Sequence, residues 1–159
     1  MDTDKNLKEI CKQYGLIAPR EFWTTSEADI KNIYNGAGPA DFNYAVRFLL
    51  QRLYPYLTVE ESEEKLRGYI SLFLELFDGA VVIHDFEFDK SDGTRESFDG
   101  ANGRILSNMM KIIDTEYPFS KFWLWHKRMV WRAKAHGTYL ACSRFGWEAW
   151  EEEGAVTNG

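Results

Sequence analysis

The ten residues Gly79-Ala80-Val81-Val82-Ile83-His84-Asp85-Phe86-Glu87-Phe88 hold a His-Asp pair in a run that is otherwise nearly all apolar. The run is long enough for a short helix, and a helix apolar almost all round is normally a buried one. An imidazole and a carboxylate inside it need partners, because burying unpaired charge is expensive. Successive helical positions differ by about 100°, so His84 and Asp85 can border one cavity. Two alternatives follow: a built site, or a helix-edge histidine beside a solvated aspartate.

A chain of 159 residues suits one domain with a substantial core. The domain is expected over residues 1–150, with 151–159 as a flexible, frayed tail. A net charge of −6 and a pI near 5.1 argue against broad nucleic-acid binding, which needs a basic footprint. Met1-Asp2-Thr3-Asp4-Lys5 has no apolar stretch of the kind that opens a signal peptide. No apolar run reaches the length of a membrane span. Cys11 and Cys142 are too few for a disulfide framework and fit reduced thiols, so the expected location is the cytoplasm.

Along the chain, Leu7, Ile10, Cys11 and Tyr14 have helical spacing, and Pro19 is expected to close that helix. Ser26 is placed to cap a second short helix running to Tyr34. Asn35-Gly36-Ala37-Gly38-Pro39 reads as a turn; its two glycines permit close backbone approach, which is useful where carbonyls converge. The plain alternative is a linker. Residues 41–54, with Phe42, Val46, Leu49 and Leu53 among their apolar positions, read as a buried helix ending before Pro55. Thr58 is expected to cap the next helix, with Glu61 at the capping-box position and a break at Asp78-Gly79.

Asp85, Glu87, Asp89 and Asp92 invite comparison with a calcium-binding EF-hand loop, which needs glycine at its sixth position. Counting from Asp85 puts Lys90 there, and counting from Glu87 puts Asp92 there, so that pattern fails. Residues 89–94 are expected to form an exposed loop. In the following helix Phe98, Asn102, Ile105, Met109 and Ile112 fall on one face. Asn102 thus lies in an apolar stripe, where its amide needs a partner: a buried imidazole or nearby backbone. Residues 120–145 read as a long helix in which Phe122, Trp123, Trp125, Met129 and Trp131 alternate with Lys127, Arg128, Arg132 and Lys134. The aromatics are expected to fill a core with basic stems along its rim; the alternative is a helix seated at a lipid interface.

Every element read here is helical, so the fold class is all-α. The glycine turn, the His84-Asp85 run, Ala101-Asn102-Gly103-Arg104-Ile105-Leu106-Ser107-Asn108-Met109 and the ending from Ala135 to Gly146 occur in this order. Together they resemble the phospholipase A2 family, in its bacterial, fungal and phage-related branch, over roughly residues 26–147. The resemblance implies a core of antiparallel helices, here with additional N- and C-terminal helices. It implies calcium-dependent hydrolysis of phospholipid sn-2 esters, with His84 as general base and a phospholipid or membrane surface as partner. Asp85 would be the principal calcium ligand, joined by Asn35 and the carbonyl of Gly36. The position that orients the histidine falls on Asn102.

The departures from that family pattern bear on the chemistry. The pattern has an acid where this chain has Asn102, and a tyrosine where it has Phe88. It has a pair of cysteines, normally bonded to each other, where this chain has Ala37 and Val81. A carboxylate both fixes the tautomer of a catalytic imidazole and stabilises the imidazolium; an amide can do only the first. The resemblance therefore implies a weakened esterase. The alternative is a non-catalytic, phage-related structural or interaction protein, working through a protein partner on the same helical frame.

Overall fold

The computed structural model describes residues 6–34 and 59–157. Among these the chain is helical throughout, with no strand. The helices are α1 (Leu7–Gln13), α2 (Arg20–Thr24), α3 (Glu27–Ile33), α4 (Val59–Asp89), α5 (Arg95–Glu116), α6 (Trp125–Phe145) and α7 (Trp147–Thr157), with a 3-10 turn at Phe122–Leu124 before α6. The all-α class expected from the sequence is the class found. The glycine turn, the helix expected over residues 41–54 and the Thr58 cap lie outside the described residues.

Helices α4 and α5 form the spine. A short loop joins them, and contacts from earlier in α4 reach later in α5, as in an antiparallel hairpin. Phe88 stacks on Phe98 near the loop, and His84 meets Asn102 one turn further away. α6 packs on α5, α1 and α3 pack on α4, and α7 reaches both α6 and α4. The main core gathers Phe22, Ile30, Phe77, Val82, Phe86, Met109 and Ile112 at the meeting of these helices. The stripe predicted on α5 is the buried one: Phe98, Asn102, Ile105, Met109 and Ile112 are all inside.

Three local expectations are corrected. First, Asp78-Gly79 does not break the helix, which runs unbroken from Val59 to Asp89. Glycine serves packing there instead. A Cβ on Gly79 would lie 2.9 Å from Leu16 Cδ1 and 3.3 Å from Ile10 Cγ2, so its absence lets α1 approach α4 closely. The Cys11 thiol also donates to the Gly79 carbonyl at 3.3 Å. Second, α1 ends before Pro19: Gly15 turns into the left-handed region and the Leu16 N–H returns to Cys11 O. Pro19 precedes the first residue of α2, a helix the sequence pattern did not reveal. The predicted Ser26 cap does form, with the hydroxyl accepting from Asp29 N–H at 3.1 Å.

Third, residues 151–157 are not a frayed tail. They complete α7, whose Trp150 is 2 % exposed and joins Phe98 and Ala101 in a second, smaller core. The 89–94 loop is the seat for this helix. Ser91 is fully buried, and its hydroxyl donates to Trp150 O at 2.7 Å. Gly93 adopts a φ of +72° and lies against Gly154, backbone to backbone.

Candidate functional site

His84 lies five residues from the end of α4, and Asn102 lies in the second turn of α5. Thr94 starts α5 by accepting from Ser97 N–H, which sets the phase of the helix and brings Asn102 round to α4. The two side chains meet: His84 Nε2 is 3.1 Å from Asn102 Oδ1. Because the amide oxygen can only accept, Nε2 carries the proton and donates, leaving Nδ1 as the ring nitrogen with a free lone pair. The sequence offered two partners for Asn102, backbone or imidazole, and the imidazole is the one found. The amide nitrogen of Asn102 has no hydrogen bond.

The imidazole is 4 % exposed. Phe88, one turn on, lies with its ring centroid 4.7 Å from that of His84, and Trp150 of α7 packs edge-on against Phe88. Burial disfavours the charged ring and drives its pKa down from the usual 6.5 to about 4; the weaker hydrogen bond to Asn102 acts in the opposite direction. His84 is therefore neutral at physiological pH. In the pH range between these two values the unfolded chain binds a proton that the folded one does not, so stability falls as pH falls from about 6.5 to about 4. The full effect is on the order of 3 kcal/mol. Urea midpoints measured across that range should show this acid-side loss in the native protein and lose most of it in His84→Phe. An unchanged slope in the variant would assign the acid sensitivity elsewhere.

Asp85 is also buried. Its surroundings follow from its effects on neighbours. On α6 the Cys142 thiol is pushed up to about 12, first by burial and then by the charge of Asp85. The Tyr34 hydroxyl, which donates to Asp78 Oδ1, is raised by burial, by Asp78 and, more weakly, by Asp85. Tyr34, the residue before Asn35, is thereby tethered on α4, two helical turns from Asp85. Asn35 and Gly36 lie outside the described residues. Among those that are described, no group of three or more His, Cys, Asp or Glu side chains converges to hold a metal ion. Of the calcium ligands that the resemblance implies, Asp85 is the one among the described residues, and one carboxylate does not make a calcium site.

Sequence reasoning missed the salt bridge that closes this end of the hairpin. Arg104 Nε donates to Glu87 Oε1 at 2.8 Å, with Glu87 8 % exposed and its other oxygen unpaired. Burial raises the Glu87 carboxyl, and Arg104 offsets part of that rise. No local spacing announces such a pair, because its members lie on different helices. The only available signal was a glutamate inside the apolar run of His84.

The arrangement can hold a neutral imidazole in one tautomer, but it cannot balance an imidazolium with a carboxylate. No family model matches the chain, and no characterised protein or solved structure is significantly similar to it.

Proposed function

We propose that this chain is a phospholipase A2-like lipid esterase of low turnover, acting on phospholipid sn-2 esters. The observation that carries the proposal is the His84–Asn102 contact, which leaves Nδ1 as the proton acceptor. In the proposed reaction a water attacks the ester carbonyl while its proton passes to His84 Nδ1. Collapse of the tetrahedral species then expels the lysophospholipid alkoxide, which takes the proton back from the ring. Calcium, held by Asp85 together with Asn35 and the Gly36 carbonyl, would polarise the ester carbonyl when bound. Asn102 fixes the ring orientation. Two features limit the rate: an imidazole with a pKa near 4 is a weak base at neutral pH, and no carboxylate supports its protonated form.

The same burial favours a second reading, a non-catalytic, phage-related structural or interaction protein in which His84 and Asn102 are internal polar packing. Fatty-acid release from phospholipid vesicles, with calcium and with chelator, separates the two. The esterase predicts slow, calcium-dependent release that disappears in a folded His84→Ala variant. Absence of release from clean protein at every calcium concentration would overturn it.

A further inference from the structure

The sequence led us to expect the aromatics of α6 inside and its basic residues outside, and α6 departs from this in part: Trp131 packs on the core, but Arg128 is buried and Trp125 faces outward. Its inward side carries Arg128, Ala135 and Thr138. Arg128 is 4 % exposed; it donates to Asp114 Oδ1 at 2.6 Å and to Tyr117 O at 2.7 Å. The opposite side carries Trp125, Met129 and Leu140, each 58 to 66 % exposed, with Ala133 and His136 between them. At 100° per residue these five fall within an arc of about 80° and form a stripe about 22 Å long. The 3-10 turn before the helix adds Phe122 at 75 % and Trp123 at 58 % exposure, and Phe119, at 80 %, is stacked on the Arg128 guanidinium. Phe119, Phe122, Trp123 and Trp125 are thus exposed within seven residues, where single scattered apolar side chains would need no explanation.

The charge around the stripe indicates what the surface meets. Residues 117–147 contain six of the chain's 19 Lys and Arg residues and none of its 25 Asp and Glu residues, in a protein of net charge −6. Arg128 and Arg132 are held by Asp114, and Lys134 lies over the Trp131 ring. Arg144 is exposed at the edge of the apolar stripe and Lys121 beside the turn that precedes it, while Lys127 is exposed on the far side of the helix. Tryptophans flanked by lysine and arginine suit the boundary between headgroups and acyl chains, where the rings bury their apolar bodies and the cations meet anionic headgroups. A second copy of the chain fits the surface less well, because pairing this face with itself would bring the same cations together.

We infer that the Phe119–Trp125 turn and the outer stripe of α6 form a docking surface for membranes rich in anionic phospholipid. α6 lies along the headgroup plane, and Phe122, Trp123 and Trp125 insert. Docking does not depend on chemistry at His84 and stands whether or not the esterase reading holds.

The test is sedimentation of the full chain with vesicles of equimolar phosphatidylglycerol and phosphatidylcholine, against vesicles of phosphatidylcholine alone, with tryptophan emission as a second readout. The expected result is binding to the anionic vesicles with a blue shift, weakened by salt at about 0.5 M. Trp123→Ala/Trp125→Ala and, separately, Lys121→Glu/Arg144→Glu should each weaken binding about tenfold or more. These side chains are exposed, so the variants should retain the native circular dichroism and melting. His84→Ala should bind like the native protein, which separates failure of docking from failure of catalysis. Three results would overturn the inference: no binding to anionic vesicles, equal binding to both compositions with the variants unchanged, or a dimer in sedimentation equilibrium that the Trp123→Ala/Trp125→Ala variant dissolves while vesicle binding is absent.

Discussion

Asn102→Asp is expected to raise the rate of sn-2 ester hydrolysis by a factor of about 10² to 10⁴, on the order of the loss that the reverse change causes in serine proteases. The amide already accepts from His84 Nε2 at 3.1 Å, so a carboxylate can take its place with little change of shape. What changes is charge. A buried carboxylate opposite the ring stabilises the imidazolium that forms during proton transfer and lifts the His84 pKa from about 4 toward neutrality. The same carboxylate carries a desolvation cost of its own, so the variant should lose stability above the new histidine pKa, where the introduced carboxylate stands ionised beside a neutral ring. Fatty-acid release with saturating calcium measures the first effect, and urea midpoints against pH measure the second. If the variant gains the pH-dependent stability change but no hydrolysis, the pair is internal packing and the non-catalytic reading prevails.

Gly154→Val should cost about 2 to 4 kcal/mol of stability and detach the end of α7. A Cβ at Gly154 would fall 2.2 Å from Gly93 N and 2.4 Å from Gly93 Cα. Both are backbone atoms of a residue at φ +72°, so the loop cannot give way as a flexible side chain would. The smaller of two costs decides the outcome. Rather than distort the loop, α7 should lift, losing the burial of Trp150 and the hydrogen bond from Ser91. Tryptophan emission should shift red, and amides near residue 150 should exchange faster while α5 stays protected. Gly103→Ala is the control: a Cβ there meets nothing within 4 Å, so helix propensity should leave that variant as stable as the native protein or more so. Equal stability of the two variants would mean that α7 does not depend on this contact.

Where the sequence could be read correctly, the signal was periodic or local. The apolar stripe of α5 repeats every three to four residues, and each of its members is buried, including the one amide whose position implied a partner. The Ser26 cap uses a hydroxyl and an N–H three residues apart. The His84-Asp85 run was legible as a buried helix because so little of its surface is polar.

The tertiary structure decided what depends on neighbours from distant parts of the chain. Gly79 looks like a helix break in one dimension, yet in three it is the place where α1 needs room beside α4. Residues 151–157 look like a tail because their apolar content is sparse, but Phe88, Phe98 and Ala101 take up the Trp150 ring while Ser91 and Gly93 seat the helix backbone. The clearest case is α6. Its composition of tryptophan, lysine and arginine is visible from the start, but composition does not choose a face. That choice fell to Asp114 and the Tyr117 carbonyl, which hold Arg128 inward and so turn Trp125, Met129 and Leu140 outward. The sequence by itself determined an all-α chain with an asparagine in a buried helix stripe and a histidine in an apolar helical run, either buried or at its edge. Only the packing of α4 against α5 made them partners, because a hydrogen bond between helices depends on their relative rotation and height, which no local pattern encodes.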